Sequence, residues 1–298
     1  MSVAALVARA VVRAPGTCGE LVQGFLEGFH FHVTCPIDVS STVTVDVYRG
    51  ASGVTGPASC PKAVKGVRLA LLALGAEGLS AELSIRNPLP RSKGMASSTA
   101  DVAGSIAATG LALQKPFSPA DIARLSLQVE PSDGLMFPGI TLFGHRDGNP
   151  CEALGAPPAM NVLVLDFGGT VDTVVFNSRD LTEALRARSM QWRECLELIR
   201  GGIVSADISQ IGLGATLDSI TYSEVVPRPQ LDSLLALAKE LGAVGVNTAH
   251  SGTVMGLLLP PDEELLVRAE REARWRFPGL ESVYRTRLVG GGVQTLAT

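Results

Sequence analysis

The segment NPLPRSKGMASSTAD, residues 87–101, combines residue types that can bind an anion. A proline-flanked turn carries Lys93, and Gly94 and a run of small hydroxyl residues lead from it into a helical pattern. The first turn of such a helix offers N–H groups without intrahelical partners and the positive end of the helix dipole, so it can bind phosphate. Taken alone, the segment fits an ordinary N-capped helix equally well.

Two common nucleotide-binding motifs do not match this chain. The P-loop pattern GxxxxGK[ST] places its lysine after the glycine and directly before the hydroxyl residue, whereas here Lys93 precedes Gly94. The sequence GLGAT at residues 212–216 does not follow a predicted strand and lacks the third glycine of the dinucleotide fingerprint. A phosphate site at residues 87–101 therefore needs another class of loop.

Carboxylates and imidazoles that could do chemistry occur in two further segments. EPSDGLMF places Glu130 and Asp133 three residues apart after a predicted helix, although a helix-end glutamate and a turn-forming aspartate are also common there. FHFH places His30 and His32 on the same side of a strand. Because no third ligand is in view in the sequence, this histidine pair does not predict a metal site.

The elements that must position these residues mix strands and helices without strict alternation. Alternating apolar residues, as in STVTVDVY at 41–48, predict strands covered on one face, and NVLVLDFGG predicts a buried strand in the second half. Helices are predicted at 62–74, at 97–113, after the N-cap Ser118, near 180–200, 204–220 and 228–241, and at 261–276. This mixture predicts the α+β class. The Gly/Pro-rich DGNPCEALGAPPAM predicts a boundary between a domain of residues 1–155 and one of residues 156–298.

Composition narrows the class of ligand. The 298 residues are 46% hydrophobic and carry a formal net charge of −4 without a long basic run, which disfavours nucleic acid or an anionic membrane as partner. The five cysteines are odd in number and form no CxxC pair, as in a reducing compartment. No segment reaches the length of a membrane span, and the N-terminus is a poor signal peptide. We expect a cytoplasmic protein with a small-molecule ligand; the oligomeric state, a homodimer included, is left open.

Three segments in order resemble the motifs of the GHMP kinases, the family of galactokinase, homoserine kinase and mevalonate kinase. RAPGTCGELVQG at 13–24 resembles the first motif, PLPRSKGMASSTAD the second, and AHSGTVMGLLL at 249–259 the third; Met95 and Ala96 replace the usual Leu and Gly of the second. The resemblance implies a two-domain α+β fold, with an N-terminal ribosomal-S5-like α+β domain and a C-terminal ferredoxin-like α/β sandwich. It also implies transfer of the ATP γ-phosphoryl group to a small alcohol, with Mg²⁺.

The resemblance assigns roles to the candidate residues. It implies that Asp133 acts on the substrate hydroxyl, Lys93 adds positive charge at the phosphates, and Ser97 and Glu130 bind the magnesium ion. The implied nucleotide-binding residues are Pro90, Lys93, Gly94, Met95, Ala96, Ser97, Ser98, Thr99, Ser251 and Gly252. The candidates for binding the acceptor are Arg13, Thr17, Cys18, Glu20, Gln23, Asp133, Asp172 and Thr173.

Four segments are most similar to the branch of this family that phosphorylates L-threonine for the aminopropanol linker of cobalamin: APGTCGELVQG, KGMASSTAD, EPSDGLMF and LDFGGTVDTVVFN. The resemblance therefore implies O-phospho-L-threonine as product. Homoserine is the next acceptor, and a relative that decarboxylates after phosphorylation is a further alternative. From a different class, a non-catalytic nucleotide- or metabolite-binding regulator remains; it would have no reason to keep both Ser97 and Asp133.

Overall fold

The computed structural model describes residues 5–49, 53–169 and 181–297, and its organising element is a long antiparallel hairpin. Strands β1 (Ala5–Leu26) and β2 (Phe29–Arg49) pair along almost their whole length. The register shifts between Pro15 and Gly16 and twice more before Val22. Such bulges bend a strand and redirect its side chains. The first sequence motif therefore lies inside one bent strand.

Helices pack against this hairpin in the first half of the chain. The elements in order are β3 (Gly53–Thr55), α1 (Pro61–Ala73), β4 (Ser80–Arg86), α2 (Ser97–Ala112), α3 (Pro119–Leu127), β5 (Ile140–Phe143) and β6 (Cys151–Gly155). The side chain of Ser118 accepts a hydrogen bond from the N–H of Asp121, which confirms the predicted cap of α3. Helix α2 is buried along most of its length, so its N-terminus is held rigidly against the hairpin.

In its described residues, the second half contributes five strands and the helices that cover them. These are β7 (Asn161–Asp166), α4 (Thr182–Arg186), α5 (Ser189–Ser205), α6 (Ile208–Ser223), α7 (Leu231–Leu241), β8 (Gly245–Thr248), β9 (Val254–Leu259), α8 (Glu263–Arg276), β10 (Ser282–Arg287) and the short β11 (Gln294–Leu296). The helices predicted from periodicity in this half are confirmed within a few residues at either end. The region predicted as one helix near 180–200 instead contains α4 and the start of α5.

The strands of both halves join one sheet, in the order β10-β7-β9-β8-β1-β2-β4-β3. The two halves meet where β1 pairs with β8, at Glu20 and Thr248. Strand β11 returns from the C-terminal end to pair with β1. The predicted α+β class is confirmed, whereas the division at residues 155 and 156 stays a prediction because strand pairing is continuous across it. Within the described ranges, no helix is both long and apolar enough to cross a bilayer.

Candidate active site

The three sequence motifs meet around one cavity of about 680 Å³. Backbone hydrogen bonds join them: the N–H of Thr17 donates to Met95 O at 3.2 Å, and the N–H of Gly19 donates to Gly94 O at 3.1 Å. The N–H of Thr253 donates to Lys93 O at 2.9 Å. Segments more than 70 residues apart are therefore locked into one wall. Of the predicted site residues, the cavity is lined by Thr17, Glu20, Gln23, Pro90, Gly94, Met95, Ala96, Ser97, Ser98, Thr99, Glu130, Asp133 and Ser251.

One end of the cavity, here called the helix end, is formed by residues 94–99, Lys62 and Glu130. Ala96, the N-cap of α2, is left-handed with φ of 54° and makes no side-chain capping hydrogen bond. The first-turn N–H groups of α2 are thus not satisfied by an N-cap side chain, which suits an anion. Gly94 has φ of 87°, and a Cβ there would lie 2.3 Å from the Ala249 Cβ. Only glycine allows this close approach of the second and third motifs.

A hydroxyl and a carboxylate lie together at the helix end. The Ser98 hydroxyl donates to Glu130 Oε1, and Glu130 Oε2 lies 2.6 Å from Lys62 Nζ. Oxygen ligands of this kind are those that Mg²⁺ prefers, and magnesium commonly takes only one or two protein ligands while phosphates and water supply the rest. The donor set at Ser98 and Glu130 therefore fits a magnesium ion brought by a nucleotide.

The hydroxyl of Ser97, predicted to bind the magnesium ion, has other partners in this structure. Its hydroxyl donates to Leu89 O at 3.2 Å and accepts from Asn87 Nδ2 at 3.1 Å, inside the loop that precedes α2. The side chain of Ser97 is therefore occupied in holding the loop. The neighbouring Ser98, predicted only as a phosphate contact, is the hydroxyl that faces Glu130.

Lys93 also differs from its predicted role. Its ammonium contacts Asp166 Oδ1 at 3.0 Å and Glu281 Oε2 at 2.6 Å, on the second half of the chain. Lys93 does not line the cavity. Burial lowers its pKa, but the hydrogen bonds and charges of the two carboxylates outweigh that and raise it, so the lysine stays charged. It links the two halves, and the lysine at the helix end is Lys62.

A second group of cavity-lining residues, here called the acidic end, comprises Glu20, His32, Asp133 and His145. Asp133 Oδ2 accepts a hydrogen bond from Thr99 Oγ1 at 3.0 Å, which ties it to helix α2. Burial and the charge of Asp133 raise the pKa of Glu20 to about 8, and burial raises the pKa of Asp133. Burial lowers the pKa of His32 to about 3 and keeps its ring neutral. Two carboxylates thus share a site that favours an added positive charge.

A buried polar network outside the cavity fixes the acidic end. His250 N donates to Glu20 Oε2 at 2.9 Å, and His250 Nε2 lies 2.8 Å from Asp218 Oδ2. Asp218 Oδ1 in turn accepts from Gln23 N at 3.0 Å. The Arg228 guanidinium donates to the carbonyls of Ala249, His250 and Gly252, and the His250 ring stacks on Tyr222 with centroids 3.7 Å apart. The backbone N–H of His250 therefore supports the carboxylate of Glu20.

The other predicted residues lie apart from the cavity or outside the described ranges. Arg13 is exposed on β1, between β2 and β11, and Cys18 is buried with its thiol 3.7 Å from Asn247 Oδ1. Gly252 packs against the backbone of Lys93 and Gly94 rather than facing the cavity. Asp172 and Thr173 lie outside the described residues. The acceptor roles predicted for Arg13 and Cys18 therefore receive no support from their positions.

Sequence reasoning did not identify several residues of the site. Lys62 and Arg91 line the helix end, and His145 lies beside His32 with ring centroids 5.0 Å apart. The sequence could have indicated Lys62, since it stands in the first turn of a predicted helix, where anion sites are common. No sequence pattern indicated His145, because it reaches the cavity only through the pairing of β5 with β2, at His32 and Phe143.

Comparisons of the sequence and of the fold with known proteins both find kinases of small molecules. The family model of the GHMP kinases N terminal domain matches residues 62–138. The L-threonine kinase of Salmonella typhimurium is 31% identical over 96% of this chain and 95% of its own length. The homoserine kinase of Moorella thermoacetica is 23% identical over 81% of this chain and 84% of its own. The crystal structure of homoserine kinase from Cytophaga hutchinsonii matches 99% of this chain and 100% of that one, with a TM-score of 0.75 at 16% identity.

Proposed function

The chain belongs to the GHMP kinase family of ATP-dependent phosphotransferases, and on that premise we propose that it transfers the γ-phosphoryl group of ATP to the side-chain hydroxyl of L-threonine. The observation that carries the proposal is the single cavity whose two ends differ in chemistry. An uncapped helix N-terminus and an oxygen pair lie at the helix end, and buried carboxylates lie at the acidic end.

The helix end suits the phosphates of ATP. Ser98 and Glu130 would hold the magnesium ion, whose charge offsets the negative charge of the transferring group. Lys62 would leave part of its contact with Glu130 to face a phosphate oxygen, and the first-turn N–H groups of α2 would bind another. The first-turn N–H groups of α2 are fixed before the reaction, so little reorganisation of these donors is needed during transfer.

The acidic end suits the alcohol. In the reaction a bond forms between the hydroxyl oxygen and the γ-phosphorus, the bond from that phosphorus to the β,γ-bridging oxygen breaks, and ADP leaves. Asp133 is placed to accept the hydroxyl proton, and the Thr99 hydroxyl holds its carboxylate in position. Positioning of the hydroxyl contributes to the rate as well, because it turns an encounter into an intramolecular step.

An amino-acid acceptor matches the charge of this end. Glu20 is buried and Asp133 lies half-buried beside it, and an ammonium group there would let both remain ionised. Gln23, which also lines the cavity, can donate to a carboxylate. The greater identity to L-threonine kinase than to homoserine kinase favours threonine, and homoserine is the second candidate because its relative still covers most of the chain.

The decisive experiment is ATP turnover across a panel of hydroxy amino acids and uncharged alcohols, with ³¹P NMR of each product. We expect the greatest kcat/KM with L-threonine and a phosphate ester on its side-chain oxygen. A greater kcat/KM with homoserine would reassign the acceptor, and release of carbon dioxide would indicate a decarboxylase. Tight ATP binding without turnover of any alcohol would instead support a non-catalytic regulator.

A matched pair of acceptors tests the proposed role of the acidic end. L-Threonine and its analogue without the amino group differ only in the ammonium. The analogue is expected to lose at least about tenfold in kcat/KM, since a charged hydrogen bond contributes ~1.5–3 kcal/mol. Equal values would remove Glu20 from ammonium recognition.

A further inference from the structure

The acidic end groups Glu20 and Asp133, which the proposed phosphoryl transfer uses, with His32, which it does not. Glu20, His32 and Asp133 each offer one ligand atom, and these atoms all lie within 4.8 Å of one another. They come from three separate segments: β1, β2 and the loop after α3. The sequence offered only His30 and His32 here, and the fold supplies the two carboxylates that the histidine pattern lacked.

His32 is the residue whose presence needs explanation. It is 2% exposed, it lines the cavity, and its Nε2 has no hydrogen-bond partner among the described residues. Its Nδ1 lies 3.9 Å from Asp133 Oδ1, which is beyond hydrogen-bond distance. A buried imidazole left unpaired costs free energy unless a ligand satisfies it. His145, whose ring lies tilted beside that of His32, also lines the cavity with an unpartnered nitrogen, Nδ1.

The two carboxylates also make no ion pair with a basic side chain. Within the part of the chain that the structure describes, no lysine or arginine lies at ion-pair distance from Glu20 or Asp133, and the charge of Arg228 acts on Glu20 only from farther away. Buried charges are normally paired or bind a metal. One imidazole with two carboxylates is a donor set that suits first-row transition metals better than magnesium, which prefers oxygen alone.

We propose that Glu20, His32 and Asp133 form a binding site for a first-row divalent transition-metal ion, separate from the magnesium position at Ser98 and Glu130. Ligand atoms on a tetrahedral zinc ion lie ~2.0–2.2 Å from it and hence roughly 3.5 Å from one another, so the cluster needs only to contract slightly. Three protein ligands leave one coordination position open toward the cavity. An ion held there would occupy Asp133 and so block the alcohol.

The test uses cobalt(II) alone, added to the full chain without nucleotide or alcohol and in excess Mg²⁺. Visible absorption reports ligand geometry around cobalt, and calorimetry gives the affinity and stoichiometry. We expect one ion per chain, and an affinity at least about tenfold weaker in His32→Asn, since loss even of a residue that only supports a ligand costs 10–100-fold. His30→Asn, two residues along the same strand, is the matched control and is expected to bind as the unmodified chain does.

A thermal melt checks that His32→Asn is folded, and Glu20→Gln serves as a second variant that removes a different ligand. No binding, or binding unchanged in both His32→Asn and Glu20→Gln, would overturn the site. Equal loss in His30→Asn would overturn it as well, because the ion would then be held by another part of the chain. Since neither nucleotide nor alcohol is present, these outcomes leave the proposed kinase activity untouched.

Discussion

At the helix end of the cavity the chain presents backbone N–H groups, a hydroxyl and an exposed lysine, whereas at the acidic end it buries carboxylates and imidazoles. The helix end comes mainly from one continuous segment, residues 94–99. The acidic end is assembled from β1, β2, β5 and a loop, and α6 and the third motif support it. A phosphate can be bound by local backbone geometry, but a specific alcohol needs side chains fixed from several directions.

The largest expected effect lies at the acidic end. Asp133→Asn keeps the size of the side chain and an acceptor for Thr99 but removes the carboxylate that takes the proton. We expect kcat to fall at least about tenfold, since a positioned base typically contributes ~10²–10⁴-fold. ATP affinity, measured by calorimetry, should be unchanged because Asp133 belongs to the other end. An unaltered kcat would remove Asp133 from the base role.

A second prediction concerns the contact that joins the ends. A Cβ on Gly252 would lie 2.3 Å from Lys93 O and 2.4 Å from Gly94 Cα, both backbone atoms. Gly252→Ala is expected to lower the unfolding free energy by about 1–3 kcal/mol, as overpacking does, and to weaken ATP binding because the loop before α2 must shift. Denaturant titration and calorimetry measure the two effects.

Gly78→Ala is the control for that substitution, because a Cβ at Gly78 meets nothing within 4 Å. It should leave both quantities nearly unchanged. Equal effects of the two substitutions would mean that the close approach of the second and third motifs does not matter for the helix end.

The third prediction separates the two neighbouring serines at the helix end. Ser98→Ala removes the hydroxyl that faces Glu130, so the Mg²⁺ concentration for half-maximal rate should rise about tenfold, as when a group at a metal site is lost. Ser97→Ala removes hydrogen bonds within the loop and should lower stability by about 1 kcal/mol without that shift. Magnesium titration of the rate measures the first effect and urea unfolding the second. A magnesium shift in Ser97→Ala alone would restore the original assignment.

The same contrast explains what the sequence could predict. Helix α2 and the anion site at its N-terminus could be predicted from the local sequence pattern, since hydroxyl residues, glycine and apolar periodicity all lie within residues 94–112. The choice between Ser97 and Ser98 does not follow, because adjacent helical residues point in different directions and only Glu130 shows which one is used. The ion pairs of Lys93 did not follow from the sequence for a similar reason: its partners, Asp166 and Glu281, lie more than 70 residues away.

The acidic end was less predictable because its residues acquire their chemistry only from folding. Glu20 is an ordinary strand residue until the pairing of β1 with β8 buries it beside His250. His32 and His145 become neighbours only through the pairing of β2 with β5. The strand patterns did predict most of these elements, but side-chain periodicity does not give strand order.

The smallest expected effect is the pH dependence of stability that Glu20 contributes. The folded chain holds a proton on Glu20 up to a pKa of about 8, whereas an unfolded glutamate releases it near its ordinary pKa of ~4.3. The native state therefore binds more protons between these values, and its stability from this group declines as pH rises from about 4.3 to about 8 and is lost above that. Between pH 7 and pH 8 the unmodified chain should lose about 1 kcal/mol more unfolding free energy than Glu20→Gln, which has no proton to release. The exposed Glu77, changed to Gln, is the matched control and should follow the unmodified chain. Urea unfolding at each pH gives these free energies. The same pH dependence in Glu20→Gln and the unmodified chain would show that Glu20 is already ionised in the folded protein. Binding of a cationic acceptor would then not need to remove a proton from Glu20.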